Sequence, residues 1–280
     1  MIEMGEFQQK KYVVDNVEIT RFFKDDSPQV SVCIPLYEWD EWFEQAINSI
    51  LKYKNSTTFE VVVANCLQSV ARNRNAAQRE ARSDYVCQYD GDADATSDYW
   101  LDKLYDTYVL EKNIGVIGVV TVFPNGTIDH CGTLLIKNRI KTDQRLDLLF
   151  PTFPRERLFM IKELVDGNIA EPIPYEENKD QIDNNFYDVF QCTGVVMLYD
   201  RRRVGEFSAA VYEKSGWDDT DLLWKARDCG YRIVVHGKVK ITHPNHIRSD
   251  EENAVRINPK VKRAFSGENL LKYILRHGDI

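Results

Sequence analysis

Val30-Ser31-Val32-Cys33-Ile34-Pro35 is a short β-rich run, and the residues after it change rhythm: Trp39, Trp42, Phe43, Ala46, Ile47, Ile50 and Leu51 recur at the spacing of one helix face. A strand therefore feeds a helix. Phe59 to Val63 repeats the strand signal, Ala71 to Ala81 reads as a second helix, and Tyr85 to Tyr89 is a third strand ending at Asp90. This alternation predicts an α/β fold built on a parallel sheet with helices on its faces. Farther along, Trp100, Leu101, Leu104, Tyr105, Tyr108 and Val109 mark a helix that Ser97 or Asp98 is placed to cap. The β-rich stretch Val116 to Ile136 breaks at Pro124-Asn125-Gly126. Val195 to Tyr199 reads as a strand, Asp219 to Gly230 as a helix ended by glycine, and Tyr231 to Ile241 as a last strand.

The flanks are less patterned. The first 28 residues read as a polar lead-in with one strand-like stretch, Tyr12 to Ile19, so the core is expected to begin after Pro28. The acidic segment Glu163 to Asp188, with two prolines, reads as a mobile loop that covers a site or is a solvated insertion. The basic tail Val255 to His277, around Leu270, Leu271, Ile274 and Leu275, reads as a helix packed on the body, with peripheral contact to an anionic membrane as the alternative.

Composition narrows the function classes. With 280 residues, 43% hydrophobic and 29% charged, and a formal charge of −8, the chain reads as a mildly acidic globular protein able to bury a sizeable core. It lacks the basic footprint that nucleic acid requires. Its longest apolar run, Val116 to Phe123, is far short of the roughly 20 residues that span a bilayer. The expected location is cytoplasmic. The cysteines include no CxxC pair, which fits reduced core residues better than a zinc site.

Two acidic clusters carry candidate chemistry. Asp90-Gly91-Asp92-Ala93-Asp94 follows the third strand, and in open α/β sheets ligands bind beyond the carboxyl ends of strands. Residues two apart on extended chain point the same way, so Asp90 and Asp92 can converge on one hard cation or a metal-bound diphosphate. An Asp-rich turn that only caps a helix is the bland alternative. A calcium loop needs glycine and glutamate where Ala95 and Leu101 stand. A haloacid-dehalogenase-like phosphatase would use Asp90 as its nucleophile. The second cluster, Trp217-Asp218-Asp219-Thr220-Asp221, opens a helix whose dipole keeps carboxylates ionised, as a base or as a cap. His243 ends the last β run and is a ligand or a packed side chain.

Together these pieces resemble glycosyltransferase family 2, nucleotide-sugar-dependent enzymes of GT-A fold, over about residues 29 to 270. Val30 to Tyr37 is similar to the family's first strand, Ala71-Arg72-Asn73 and Ala81 to Tyr85 to the helix before the metal strand, and Tyr89-Asp90-Gly91-Asp92 to its Asp-x-Asp motif. Phe123 to Gly132 resembles a strand-turn-strand of rhamnosyltransferase-like members in surface-polysaccharide pathways. Thr193 to Leu198 with Val204 to Phe207 resembles the acceptor side, and Trp217 to Leu222 the base motif.

The resemblance implies a Rossmann-like, mostly parallel mixed sheet with a helical C-terminal tail. It divides the chain into a lead-in (1–28), a GT-A domain (29–250, donor half to about 95) and an extension (251–280). Its activity would be inverting transfer of a hexosyl or pentosyl group from a nucleotide-sugar, a UDP-sugar first, to a saccharide acceptor, lipid- or protein-linked. Pro35, Tyr37, Asn65, Arg72, Asp90 and Gly91 would meet the donor, and Asp90, Asp92 and His243 would hold Mn2+ or Mg2+. Asp219, with Asp218 beside it, would be the base, while Trp217, Gly194 and His130 would meet the acceptor. Three features depart from the family: Asn65 stands where an aspartate usually holds the base, Glu38 where an asparagine is frequent, and the short link Leu67 to Val70 omits a strand. A sugar- or calcium-binding module without turnover is the non-catalytic alternative.

Overall fold

The computed structural model describes residues 5–65, 69–136, 169–212 and 218–244. The Trp217 side chain, the tail from residue 245 and the expected C-terminal helix lie outside them. So do residues 163–168 of the expected acidic loop.

The period change at Leu36 is a strand-to-helix junction, as expected. β3 (Val30–Leu36) leads to α1 (Glu41–Lys52), whose cap Asp40 accepts the Phe43 amide at 2.8 Å. β4 (Phe59–Asn65), α2 (Val70–Glu80) and β5 (Tyr85–Tyr89) complete the alternating unit. β3 is buried almost throughout because both faces of the sheet are covered. Val30, Val32 and Ile34 pack with Phe43, Ile47 and Ile50 of α1 and with Trp100 and Leu104 of α3 (Trp100–Leu110). Cys33, Val62 and Ala64 face the opposite side with Ala71 and Ala77 of α2. After β6 (Asp94–Ala95) come β7 (Ile114–Val122), β8 (Ile128–His130), β9 (Thr133–Ile136), β10 (Ile169–Pro172) and α4 (Tyr175–Asn184). β11 (Phe186–Asp188), β12 (Val196–Asp200), α5 (Arg201–Val204), α6 (Asp218–Asp228) and β13 (Arg232–Thr242) follow.

The lead-in is part of the sheet. β1 (Gln8–Val14) and β2 (Val17–Phe23) form a hairpin around Asp15-Asn16, both at positive φ, the conformation that two-residue hairpin loops require. β2 pairs with β4, Ile19 and Phe22 are fully buried, and Arg21 is ion-paired with fully buried Glu60. The core therefore begins before Pro28. The main sheet runs β1-β2-β4-β3-β5-β12-β7-β13-β11, with β6 on β13 and β8 on β7. Parallel pairing joins β3 to β4, β3 to β5 and β7 to β13, and the other ladders are antiparallel. The sheet is thus mixed, with less parallel pairing than expected, because β12 enters between β5 and β7 in the opposite direction.

Two local expectations are corrected. Neither Ser97 nor Asp98 caps α3: its first flanking residue is Tyr99 in the left-handed region, and Asp98 instead accepts the Lys54 amide at 2.8 Å. Most of the expected loop up to Asp188 is β10, α4 and β11. A Cβ on Gly237 would lie 1.5 Å from the Ile182 carbonyl oxygen, so only glycine lets α4 approach β13 this closely. No helix among the described residues is long and apolar enough to cross a membrane.

His236 next to that contact is 7% exposed, and burial, helped by Lys103, lowers its pKa to about 4. The unfolded chain, with an ordinary value near 6.5, takes up the proton first as pH falls. Stability that is present above about pH 6.5 is therefore lost on the way down to about 4, on the order of 2 kcal/mol by pH 5. Urea denaturation at pH 7 and pH 5 checks this. His236→Gln should lose about that much less on acidification, and equal losses in both proteins would refute the assignment.

Candidate active site

The carboxyl ends of β3, β4 and β5 open onto one edge, and the ordered register brings the expected donor residues there. Pro35 pairs with Ala64 and Leu36 with Asn65, while Tyr37, one residue on, is 61% exposed. Asn73 of α2 donates to the Leu36 carbonyl at 2.8 Å, fixing the helix start against this edge. Arg72 projects outward from α2, and Ser69 caps the helix by accepting the Arg72 amide at 3.2 Å. Gly91 meets the core, since an added Cβ would lie 3.3 Å from Phe43.

Asp90, Asp92 and His243 converge. Each can offer one ligand atom, and these atoms lie within 4.8 Å of one another. The convergence follows from two ladders: Asp94 pairs with Thr242 through β6 and β13, and the His243 amide donates to the Val122 carbonyl at 2.8 Å. Asp94 itself turns away and accepts from Gln45, so the third aspartate of the run is outside the cluster. Burial raises the Asp90 carboxyl to about 6, against the pull of Arg74 and with a push from Asp92. Burial alone would lower the pKa of His243, but Asp129, Asp92 and Asp90 outweigh it and raise the value to about 9. Two carboxylates and one imidazole in reach of a common point fit a divalent cation, and the nitrogen donor suits manganese better than magnesium.

Arg74, two residues beyond Arg72, links this cluster to α6. It is 4% exposed and bonds Asp90 at 3.0 Å, Asp218 at 2.9 Å and the Gly194 carbonyl at 3.2 Å, with its guanidinium over the Phe207 ring. Asp218 is therefore committed inward. Burial pushes its carboxyl pKa up, while Arg74 opposes the shift. Asp219 points elsewhere: a Cβ on Gly194 would fall 2.4 Å from its Oδ2, so this carboxylate occupies the space that glycine leaves. The Val195 carbonyl accepts the Asp90 amide at 2.8 Å, so Gly194 and Asp219 sit beside the metal motif. His130 faces the same region, where burial lowers its pKa against Asp129 and Asp219. Its Nδ1 accepts the Gly132 amide at 3.1 Å, which places the proton of the neutral ring on Nε2.

No family model matches the sequence, and no curated protein does. Among solved structures, the chain is similar to a crystal structure of GalNAc-T7 with UDP, GalNAc and Mn2+. The TM-score is 0.52 at 10% identity, over 78% of this chain and 44% of that one. The chain thus spans less than half the length of that neighbour. At such low identity the likeness is one of architecture, and that architecture is the Rossmann-like α/β fold of GT-A type.

Proposed function

We propose that this protein is an inverting, metal-dependent glycosyltransferase of the family 2 kind. It would move a hexosyl or pentosyl group from a nucleotide-sugar, a UDP-sugar first, to a hydroxyl of a saccharide acceptor in glycan or polysaccharide assembly. The observation that carries this reading is the convergence of Asp90, Asp92 and His243 in one cluster, with Asp219 set apart across Gly194. The UDP and Mn2+ held by the GalNAc-T7 structure, which shares the fold, support the same donor and cation.

In this reading Asp219 takes the proton of the acceptor hydroxyl. The freed oxygen pair forms the new bond to the anomeric carbon from one face, while the bond to the diphosphate breaks on the other, so configuration inverts. The cation would be held by Asp90, Asp92 and His243, and it supplies Lewis-acid neutralisation of charge on the departing diphosphate. Pro35, Tyr37, Asn65, Arg72 and Gly91 would meet the donor, and Gly194 and neutral His130 the acceptor, a role also assigned to Trp217, which lies outside the described residues. Asp218 serves as the partner of Arg74 and not as the base. The enzyme would be cytoplasmic, and its saccharide acceptor lipid- or protein-linked.

The direct test is nucleotide release from UDP-, GDP- and dTDP-sugars, with Mn2+ or chelator, by wild type and Asp92→Ala. Slow Mn2+-dependent release of UDP, absent with chelator and in the variant, is expected. Release indifferent to chelator would sink the metal assignment, and phosphate trapped on Asp90 would establish a phosphatase instead.

A further inference from the structure

Asp129 belongs to none of the roles assigned so far, yet the fold builds a special place for it. Thr121 of β7 pairs with His130, and the next residue, Val122, pairs with Ile128. Asp129 is therefore the extra residue of a β-bulge, a device that re-aims a side chain. Its Oδ2 accepts from the Thr121 hydroxyl at 3.0 Å, and Thr121 is fully buried in the sheet. The same oxygen lies 3.6 Å from Nδ1 of His243, whose Nε2 is 3.6 Å from Asp92 on the opposite side of the ring. His243 is 4% exposed, and its Nδ1 has no partner at normal hydrogen-bond distance among the described residues.

We propose that Asp129 is a positioning residue for His243: through the bulge and the Thr121 hydroxyl it holds the imidazole with Nδ1 turned inward and Nε2 presented to the Asp90–Asp92 cluster. The inference rests on the metal reading of that cluster. The physical reason is the two-sidedness of imidazole. A ring that ligates through one nitrogen carries its proton on the other, and a buried N–H without an acceptor costs about 1–3 kcal/mol. A carboxylate on that side fixes both tautomer and ring angle, and loss of such an outer partner typically weakens metal binding about 10–100-fold.

The test is calorimetric titration of the full chain with Mn2+, paired with thermal melting in chelator. Wild type should bind and Asp92→Ala should not. Asp129→Ala should bind about 10–100-fold more weakly, while Asp129→Asn, whose amide oxygen still accepts from Nδ1–H, should recover most of the affinity. Thr121→Val should shift affinity in the same direction as Asp129→Ala, and it carries the test if that variant does not fold. Unchanged affinity in Asp129→Ala or Thr121→Val, with only a lower melting temperature, would overturn the proposal and leave Asp129 a structural bulge residue. Wild type and Asp92→Ala behaving alike would remove the metal reading, and this inference with it.

Discussion

Asp219→Asn should lower turnover by about 10²–10⁴-fold, the usual worth of proton transfer to a positioned base, while donor binding and the melting temperature stay close to wild type. The change is nearly isosteric and keeps the oxygen that accepts the Thr220 amide at 2.8 Å. The packing against Gly194 survives as well, so the loss would report proton transfer alone. Asp218→Asn is the control. It weakens the bond to Arg74 inside the protein, so its effect should appear in stability rather than as a clean loss of turnover. Initial rates and donor affinity measured on both variants separate the cases, and normal turnover in Asp219→Asn would end its assignment as base.

Arg74→Met should be the most destabilising single change in the site. Burial disfavours the guanidinium's charge, but Asp218, Asp90 and Asp219 outweigh that penalty and raise its pKa. Methionine fills much of the same space beside Phe207 and leaves Asp218, 3% exposed, and Asp90 without their cation. Breaking a buried pair from one side costs about 3–5 kcal/mol, because the surviving charge stays buried. Melting in chelator should therefore fall by roughly 10 °C. Adding Asp218→Asn to Arg74→Met should recover part of the loss, since the two groups are directly coupled. A melting temperature unchanged by Arg74→Met would mean that these carboxylates do not depend on it.

Arg74 also shows where sequence reasoning stops. The family resemblance points to Arg72, a surface position of α2. The helix's own inward stripe is Ala71, Arg74, Asn75 and Gln78, at i, i+3, i+4 and i+7, and all four are buried. That spacing was available to find Arg74, but a charged residue on an inward stripe is easily discounted. By contrast, Asp90 and His243 are legible because each directly follows a strand whose apolar run is unmistakable, and Asp92 stands two residues beyond Asp90 in the same acidic run. Asp129 is not legible, because its role depends on one residue of slippage between β7 and β8, which pattern alone does not reveal. The hairpin escaped for a similar reason: β1 is Gln-Gln-Lys-Lys-Tyr-Val-Val, mostly exposed, and nothing in its composition alternates.

Among the described residues, that hairpin forms one border of the main sheet. β4, with five consecutive buried residues, would make a sticky outer border, open to pairing with any passing extended chain. β2 covers it, and β1 becomes the border in its place, with Gln8, Gln9, Lys10 and Lys11 all turned to water. A fringe of lysines and amides offers an incoming strand charge instead of apolar surface. The residues that look least informative in the sequence thus act as a selvedge, keeping one copy of the sheet from knitting onto the next.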